Sequence, residues 1–412
     1  MKSKHIVVAL RTALATTLLL ISASPALAAD SLKTAFTEGD WGLNFRWRFE
    51  DVNQDPFNKD ATGIPLRARL NFTTADLNGF SFKIEYDYIF GFCIDTYNQG
   101  GGNTPGNGDF PVIADPDGGD LNQLYLQYKK GGGLFKAGRQ RIIYDNARFV
   151  GNVGWRQNEQ TFDAIYFDYK TNNGLDIRYA YVANVNRIFG NDVPAGDHDN
   201  NTSLLNLSYN FTDIGKLTGY YYDIDDKDDA AFSNISWGLR YIGTYQSNGA
   251  KFGYALEFAS QRDAANNPVS YHANYWRADL SVGFKPATVY AGYESLGGDD
   301  SKAGQAFRTP LATLHAFNGW ADKFLKTPEA GLNDAFIGVK GKLGKWNWNV
   351  VYHDFSAQSG SADFGTEWDA SIARKLNQHY SVLFKAASFD TESPAYGDTT
   401  KIWVQFTADF KL

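Results

Sequence analysis

Residues 401–412, "KIWVQFTADFKL", put Ile402, Val404, Phe406, Ala408, Phe410 and Leu412 in one row, with Lys401, Gln405, Thr407, Asp409 and Lys411 in the row between. A period of two is that of a strand with one apolar face, because successive side chains point to opposite sides. In a soluble protein that face would meet a core and the last residues would usually fray. The other solvent able to cover it is lipid.

The rest of the chain bears on that choice. Residues 1–28 carry Lys2, Lys4 and Arg11, then an apolar run, then Ala26-Leu27-Ala28 before Ala29. This pattern predicts a secretory signal peptide cleaved near Ala28/Ala29, followed by one domain over residues 29–412. With those basic residues removed, the 39 Lys and Arg fall to 36 against 46 Asp and Glu, an acidic balance that argues against nucleic acid as a partner. Cys93 is the single cysteine, which leaves no intramolecular disulfide and reads as a small apolar filler at a strand end. After residue 28 no apolar stretch reaches the roughly 20 residues of a membrane helix, so a membrane location requires a barrel. Sixteen per cent aromatic residues and 40 glycines suit one, where every second residue faces lipid and aromatic girdles mark the interfaces.

Alternating runs are joined by two unequal kinds of connection. Short ones rich in Gly, Asn or Asp ("DLNG" at 76–79, "TNNG" at 171–174, "QSNGA" at 246–250) alternate with long polar ones, such as 91–119, 142–159, 186–200 and 297–332. Outer-membrane barrels have this asymmetry, with tight periplasmic turns and longer outer loops. The count predicts an all-β, transmembrane antiparallel β-barrel of about 18 strands, with one loop folded inward as a constriction.

Phase assigns the faces. Trp41, Leu43, Phe45, Trp47 and Phe49 meet lipid, as do Phe80, Phe82, Ile84, Tyr86 and Tyr88. The opposite phase points Arg46, Arg48, Arg67, Arg69, Lys83, Arg178, Arg240, Arg277, Lys340 and Lys385 inward, beside Glu50, Glu85, Asp87, Asp176, Glu257, Asp279, Glu367 and Asp369. A barrel of about 18 strands is too wide for its own side chains to fill, so a polar, water-filled path is expected unless something plugs it. Arg46, Arg48, Arg67 and Arg69 form a ladder readable either as a track for anionic solutes or as partners of Glu50, Glu85 and Asp87 that stiffen the wall.

Connection 297–332 contains Leu311, Leu314, Phe317, Trp320, Phe324 and Leu325, too apolar for a solvated loop; with Arg308 it is expected to enter and narrow the pore. "ADPDGGD" (114–120) and "DIDDKDD" (223–229) could hold Ca²⁺ but lack EF-hand spacing, so no cofactor is expected. The histidines beyond the leader, His198, His272, His315, His353 and His379, are scattered, and no catalytic constellation appears.

The stretches "GRQRIIYDNARFVGNVGWRQNEQTFDA" (138–164) and "TPLATLHAFNGWADKFLKTPEAGLNDAFIGVKGKLG" (309–344) resemble the alginate export family of Gram-negative outer-membrane porins, and "VVYHDFSA" (350–357) and "GTEWDASIARKLNQHYSVLFKAASF" (365–389) resemble its last hairpins. The resemblance implies a monomeric 18-stranded barrel in the outer membrane, constricted by arginine-rich walls and inward loops. It implies that Arg139 and Arg141 belong to a basic constriction, and Arg148, Arg156 and Asn158 to the inward segment after it. The implied activity is passive passage of hydrophilic, anionic solutes, sugar acids or polyuronate. Lipid, lipopolysaccharide and the barrel-insertion machinery are the implied partners. A surface adhesin or receptor that displays loops 91–119 and 186–200 is the reading from another class.

Overall fold

A computed structural model describes residues 25–104, 106–212 and 214–412. Most of the expected leader lies outside the described residues, and helix α1 (Pro25–Thr37) spans the expected cleavage point. Strands β1 (Asp40–Gln54), β2 (Ala61–Thr73), β3 (Phe80–Phe92), β4 (Gly118–Lys130), β5 (Gly133–Gln140) and β6 (Thr161–Lys170) open the sheet. They are followed by β7 (Leu175–Asn186), β8 (Asp197–Phe211), β9 (Gly215–Ile224), β10 (Asn234–Ser247), β11 (Ala250–Asp263) and β12 (His272–Gly283). The last are β13 (Ala287–Leu296), β14 (Leu332–Leu343), β15 (Trp346–Ser356), β16 (Asp363–Lys375), β17 (Tyr380–Thr391) and β18 (Thr399–Lys411). Each pairs antiparallel with its neighbours in sequence, and β18 returns to β1, closing an 18-stranded barrel with no free edge.

The closing seam sets Trp47 opposite Phe406 and Arg48 opposite Gln405, so the two alternations meet in phase. Outward Leu239, Leu256, Trp276, Leu280 and Ile337 are exposed where lipid would lie, while Arg46, Arg48 and Glu50 are buried inside. Tight turns form where backbone at positive φ is available, as at Asn248 (φ 49°) and Gly249 (φ 78°) between β10 and β11. Strand β8 begins at Asp197 rather than near 202 because its first turns alternate without hydrophobics: His198, Asn200 and Thr202 point inward, buried, and hydrogen-bond along the row. Cys93 departs from its expected role as a buried filler, being exposed at φ 59° just past β3.

The apolar core lies inside the barrel. Tyr220, Tyr222, Tyr275, Phe355, Phe389 and Trp403, all inward, meet Ile142, Phe149, Val150, Phe307, Leu311 and Phe324 from the connections after β5 and β13. Phe149 sits 5.1 Å from Tyr220 and 5.3 Å from Tyr275, and Phe324 lies 4.6 Å from Phe355, centroid to centroid. Two inward segments thus fill what the wall cannot.

Leu239, mid-strand on the lipid face, tests the phase. Leu239→Arg is expected to cost about 2–4 kcal/mol in urea unfolding from bilayers, although the next residue, Arg240, carries the same charge toward the lumen. A loss below about 0.5 kcal/mol would contradict the assigned faces.

Candidate functional site: an arginine-built constriction

Between β5 and β6 the chain leaves the wall. Ile142, Tyr144, Phe149 and Val150 carry it into the lumen, and Val150 forms a parallel bridge with Leu311 of the connection after β13. Val153 has φ 49°, a left-handed conformation that a β-branched residue adopts only under constraint and that collects at functional sites. Residues 154–157 then lie against the ladder. Arg46 donates from Nε to Gln157 Oε1 (2.8 Å), from one terminal nitrogen to Gly154 O (2.9 Å) and from the other to Arg156 O. Arg48 donates to Trp155 O (2.6 Å) with its guanidinium 4.0 Å over the Trp155 ring, and Arg67 donates to Gln157 O (3.3 Å). Gln157 returns bonds to Arg46 O (3.1 Å) and Pro65 O (3.0 Å), while its N–H meets Asp115 Oδ1 (2.6 Å).

The remaining arginines sit in ion pairs. Arg69 forks onto Asp87 at 2.6 and 2.5 Å and reaches Glu159 at 2.7 Å; Arg139 forks onto Asp163 at 2.7 and 3.0 Å. Arg141 binds Glu85 and Glu159, and Arg156 binds Glu50 at 3.0 Å. Burial alone would raise the Glu159 carboxyl, but Arg69, Arg141 and Arg67 hold it well below the carboxylate range. Burial likewise lowers Arg156, and Glu50, Asp115 and Asp322 more than offset it.

The connection 297–331 occupies the other side. Arg148 joins it to the first segment, with bonds to Glu294 (2.6 Å), Thr309 Oγ1 (3.2 Å) and Asn318 Oδ1 (3.1 Å). Ala321 N–H donates to Glu367 (2.7 Å), and His315, stacked 4.7 Å from Trp155, donates from Nδ1 to Asp322 (2.6 Å) and accepts from Lys385 (2.6 Å). Burial pushes His315 down to about 3 against the pull of Asp322, so the imidazole is neutral in any ordinary medium. Burial and the nearby Lys401 bring Lys323 down to about 8.

Two cavities open at the long-loop end. One, about 770 Å³, has Arg156, His315, Asp322, Lys323 and Lys401 in its floor with Phe57 and Tyr396 in its walls. The other, about 870 Å³, is lined by Arg139 and Arg187 and by Asp163, Asp192, Asp197, Asp199, Asp228 and Asp229, and Phe189 borders both.

The expected pore residues therefore separate. Arg139, Arg141, Arg178, Arg240 and Arg277 keep part of their side chains in reach of solvent, and Lys340 is exposed over Tyr290. Arg46, Arg48, Arg67, Arg69, Lys385, Glu85, Asp87, Glu367 and Asp369 on the wall and Arg148 and Arg156 on the inserted segment are buried, so these expected pore-lining residues are covered by protein; for the ladder Arg46, Arg48, Arg67 and Arg69, the reading as wall-stiffening partners fits this burial. Arg308 ties its own loop together through Thr327 O and Glu329. Asp115, read as a candidate Ca²⁺ ligand, binds Arg48 and Gln157; among the described residues no cluster is arranged for a metal ion. Sequence reasoning missed Trp155, Gln157, Glu159, Asp322, Lys401 and Trp403. Only Trp403, a tryptophan in the polar row of the last strand, carried a signal.

Arg46→Gln leaves the carbonyls of Gly154 and Arg156 without donors at about 1–3 kcal/mol each, so lower unfolding stability and a noisier single-channel current are expected. Lys323 is charged below about 8 and loses its charge as pH rises through that value, so the anion-to-cation permeability ratio, whatever its value at pH 7, should fall between pH 7 and pH 9. Lys323→Met should flatten that profile, as read from reversal potentials in a salt gradient.

The chain matches the family model described as Gram-negative porin over residues 15–393. No curated protein sequence matches it. Among solved structures, OpdK of Pseudomonas aeruginosa, crystallised with vanillate, superposes with a TM-score of 0.72 at 11% identity, covering 92% of this chain and 100% of that one. OccK2 of the same organism gives 0.70 at 14% identity (92% and 99% covered), and OccAB4 of Acinetobacter baumannii 0.70 at 12% (91% and 98%). Barrel and family model agree: the chain belongs to the Gram-negative porins, outer-membrane channels for solutes.

Proposed function

We propose that this channel passes small hydrophilic organic acids, sugar acids among them, by passive diffusion down their gradient. The observation that carries the reading is the order of exposure within the ion pairs of the constriction. Arg141 is 24% exposed against 4% for Glu85 and 6% for Glu159, Arg69 10% against 0% for Asp87, and Arg139 19% against 15% for Asp163. In these pairs the guanidinium is the more exposed partner, whereas in Arg277–Asp279 the carboxylate is, at 30% against 15%. A solute in the narrow zone meets N–H donors first, while acids in the outer loops are screened within about 8 Å at physiological salt.

That OpdK was crystallised with vanillate, an aromatic carboxylate, is in keeping with this reading. Polyuronate export is the narrower version, implied by the family resemblance; the two cavities, about 770 and 870 Å³, suit monomeric acids better than a polymer. A second reading, solutes that carry an amine beside the carboxylate, is favoured by the acidic lining of the larger cavity.

Swelling of proteoliposomes compares glucuronate with glucose, solutes of nearly equal size. Glucuronate should enter faster, and Arg139→Gln with Arg141→Gln should reduce the ratio about five-fold, equivalent to about 1 kcal/mol of lost attraction. A wild-type ratio at or below one would overturn the organic-acid reading; lysine entering faster than glucuronate would favour the second.

A further inference from the structure

The floor of the 770 Å³ cavity holds a carboxylate of the protein's own in a cationic cradle. Asp322 Oδ2 lies 3.0 Å from Lys401 Nζ and 3.3 Å from Arg156, and its Oδ1 lies 2.6 Å from His315 Nδ1. Lys401 projects from β18 and Arg156 from the segment after β5, whereas Asp322 and His315 belong to the connection after β13. The cradle is thus assembled by three parts of the chain, and the loop supplies its occupant. Asp322 has φ 62°, and Asn318 and Gly319 before it have φ 55° and 81°. A short segment whose non-glycine residues are held left-handed stays so only through its contacts.

We propose that the Lys401–Arg156 cradle is a carboxylate-binding site of the channel, occupied at rest by Asp322 as an internal plug, and that a solute carboxylate entering from the cavity displaces it. Three features support this. Lys401 and Arg156 are buried; if Asp322 leaves, Arg156 keeps Glu50 at 3.0 Å, but the Lys401 ammonium loses the carboxylate it pairs with, so departure of that carboxylate favours the arrival of another. The cavity directly above has room for a small acid and adds Lys323 and the rings of Phe57 and Tyr396. The exchange keeps the number of ion pairs constant, so the solute's remaining contacts decide the balance, and the shift in population follows its differential affinity for the two states. The displaced Asp322 carboxylate passes into the water of the cavity, breaking its own tie to β18, while Lys323 keeps its bond to Thr399 of that strand (2.8 Å).

This inference rests on the organic-acid reading and can fail separately from it. Glucuronate binding to the purified, folded full-length channel is followed by titration calorimetry, with Asp322→Asn as the decisive variant. Removing the competing charge while keeping its shape should tighten binding at least ten-fold and raise single-channel conductance in potassium chloride at least two-fold. Asp109→Asn, on an exposed loop acid that pairs with Lys59, should change neither. Should Asp322→Asn not fold, Lys401→Gln serves: glucuronate binding should weaken at least five-fold, and unchanged affinity would overturn the site. Asp322→Asn binding no tighter than wild type would overturn the plug even if glucuronate still outpaces glucose in swelling. Tighter binding together with a swelling ratio at or below one would uphold the plug and overturn the organic-acid reading.

Discussion

Everything inside this barrel depends on three wall arginines that satisfy the main chain of an inserted segment. An 18-stranded cylinder cannot fill itself, and a segment sent into it carries backbone carbonyls that must find donors away from a strand ladder. Arg46, Arg48 and Arg67 supply those donors to residues 154–157. Arginine suits the task because its planar fork offers five donors and stays ionised, so one side chain serves several carbonyls and still answers a carboxylate, as Arg48 answers Asp115. Among the described residues no carboxylate pairs with Arg46, whose donors all go to an amide and two carbonyls.

That use of arginine alters what charge means here. The chain has a formal net charge of −7, and the constriction's guanidiniums are largely matched by Glu50, Glu85, Asp87, Asp115, Glu159 and Asp163. Counting charges would give a neutral pore. The field that a solute meets follows the nearest groups rather than the sum, so the exposure of each partner matters more than the count. The four ladder arginines are buried, three of them bonded to the main chain of the inserted segment, while Arg139 and Arg141, outside the ladder, keep part of their side chains in reach of solvent.

Barrel, strand order and lipid face were legible because they rest on a period of two that each strand repeats, as Leu239 against Arg240 and Trp47 against Arg48 illustrate. The inward turn of connection 297–331 was legible from apolar residues with nowhere else to pack, and Leu311 and Phe324 are buried, although Leu325, expected to pack with them, is exposed. The polar start of β8 was not, since His198, Asn200 and Thr202 are held by hydrogen bonds that leave no hydrophobic alternation. Nor was the division of the arginines. Phase tells which way Arg46 and Arg141 point, but whether water or another segment covers each depends on contacts across more than a hundred residues, such as Arg46 with Gln157, that no local spacing encodes.

The two inserted segments are bound to each other as firmly as to the wall. Arg148 spans from one to Glu294, Thr309 and Asn318, Trp155 stacks on His315, and Lys385 lies 4.2 Å over Trp155 and 3.7 Å over Trp320, one ring from each segment. An ammonium between two indole faces resists displacement of either, because moving one ring exposes a buried cation to the loss of half its cage. The constriction is therefore one packed body with shared contacts rather than two independent flaps. Any rearrangement inside such a body is confined to a side chain or a short stretch of loop, because packed interiors switch between discrete arrangements and do not deform gradually.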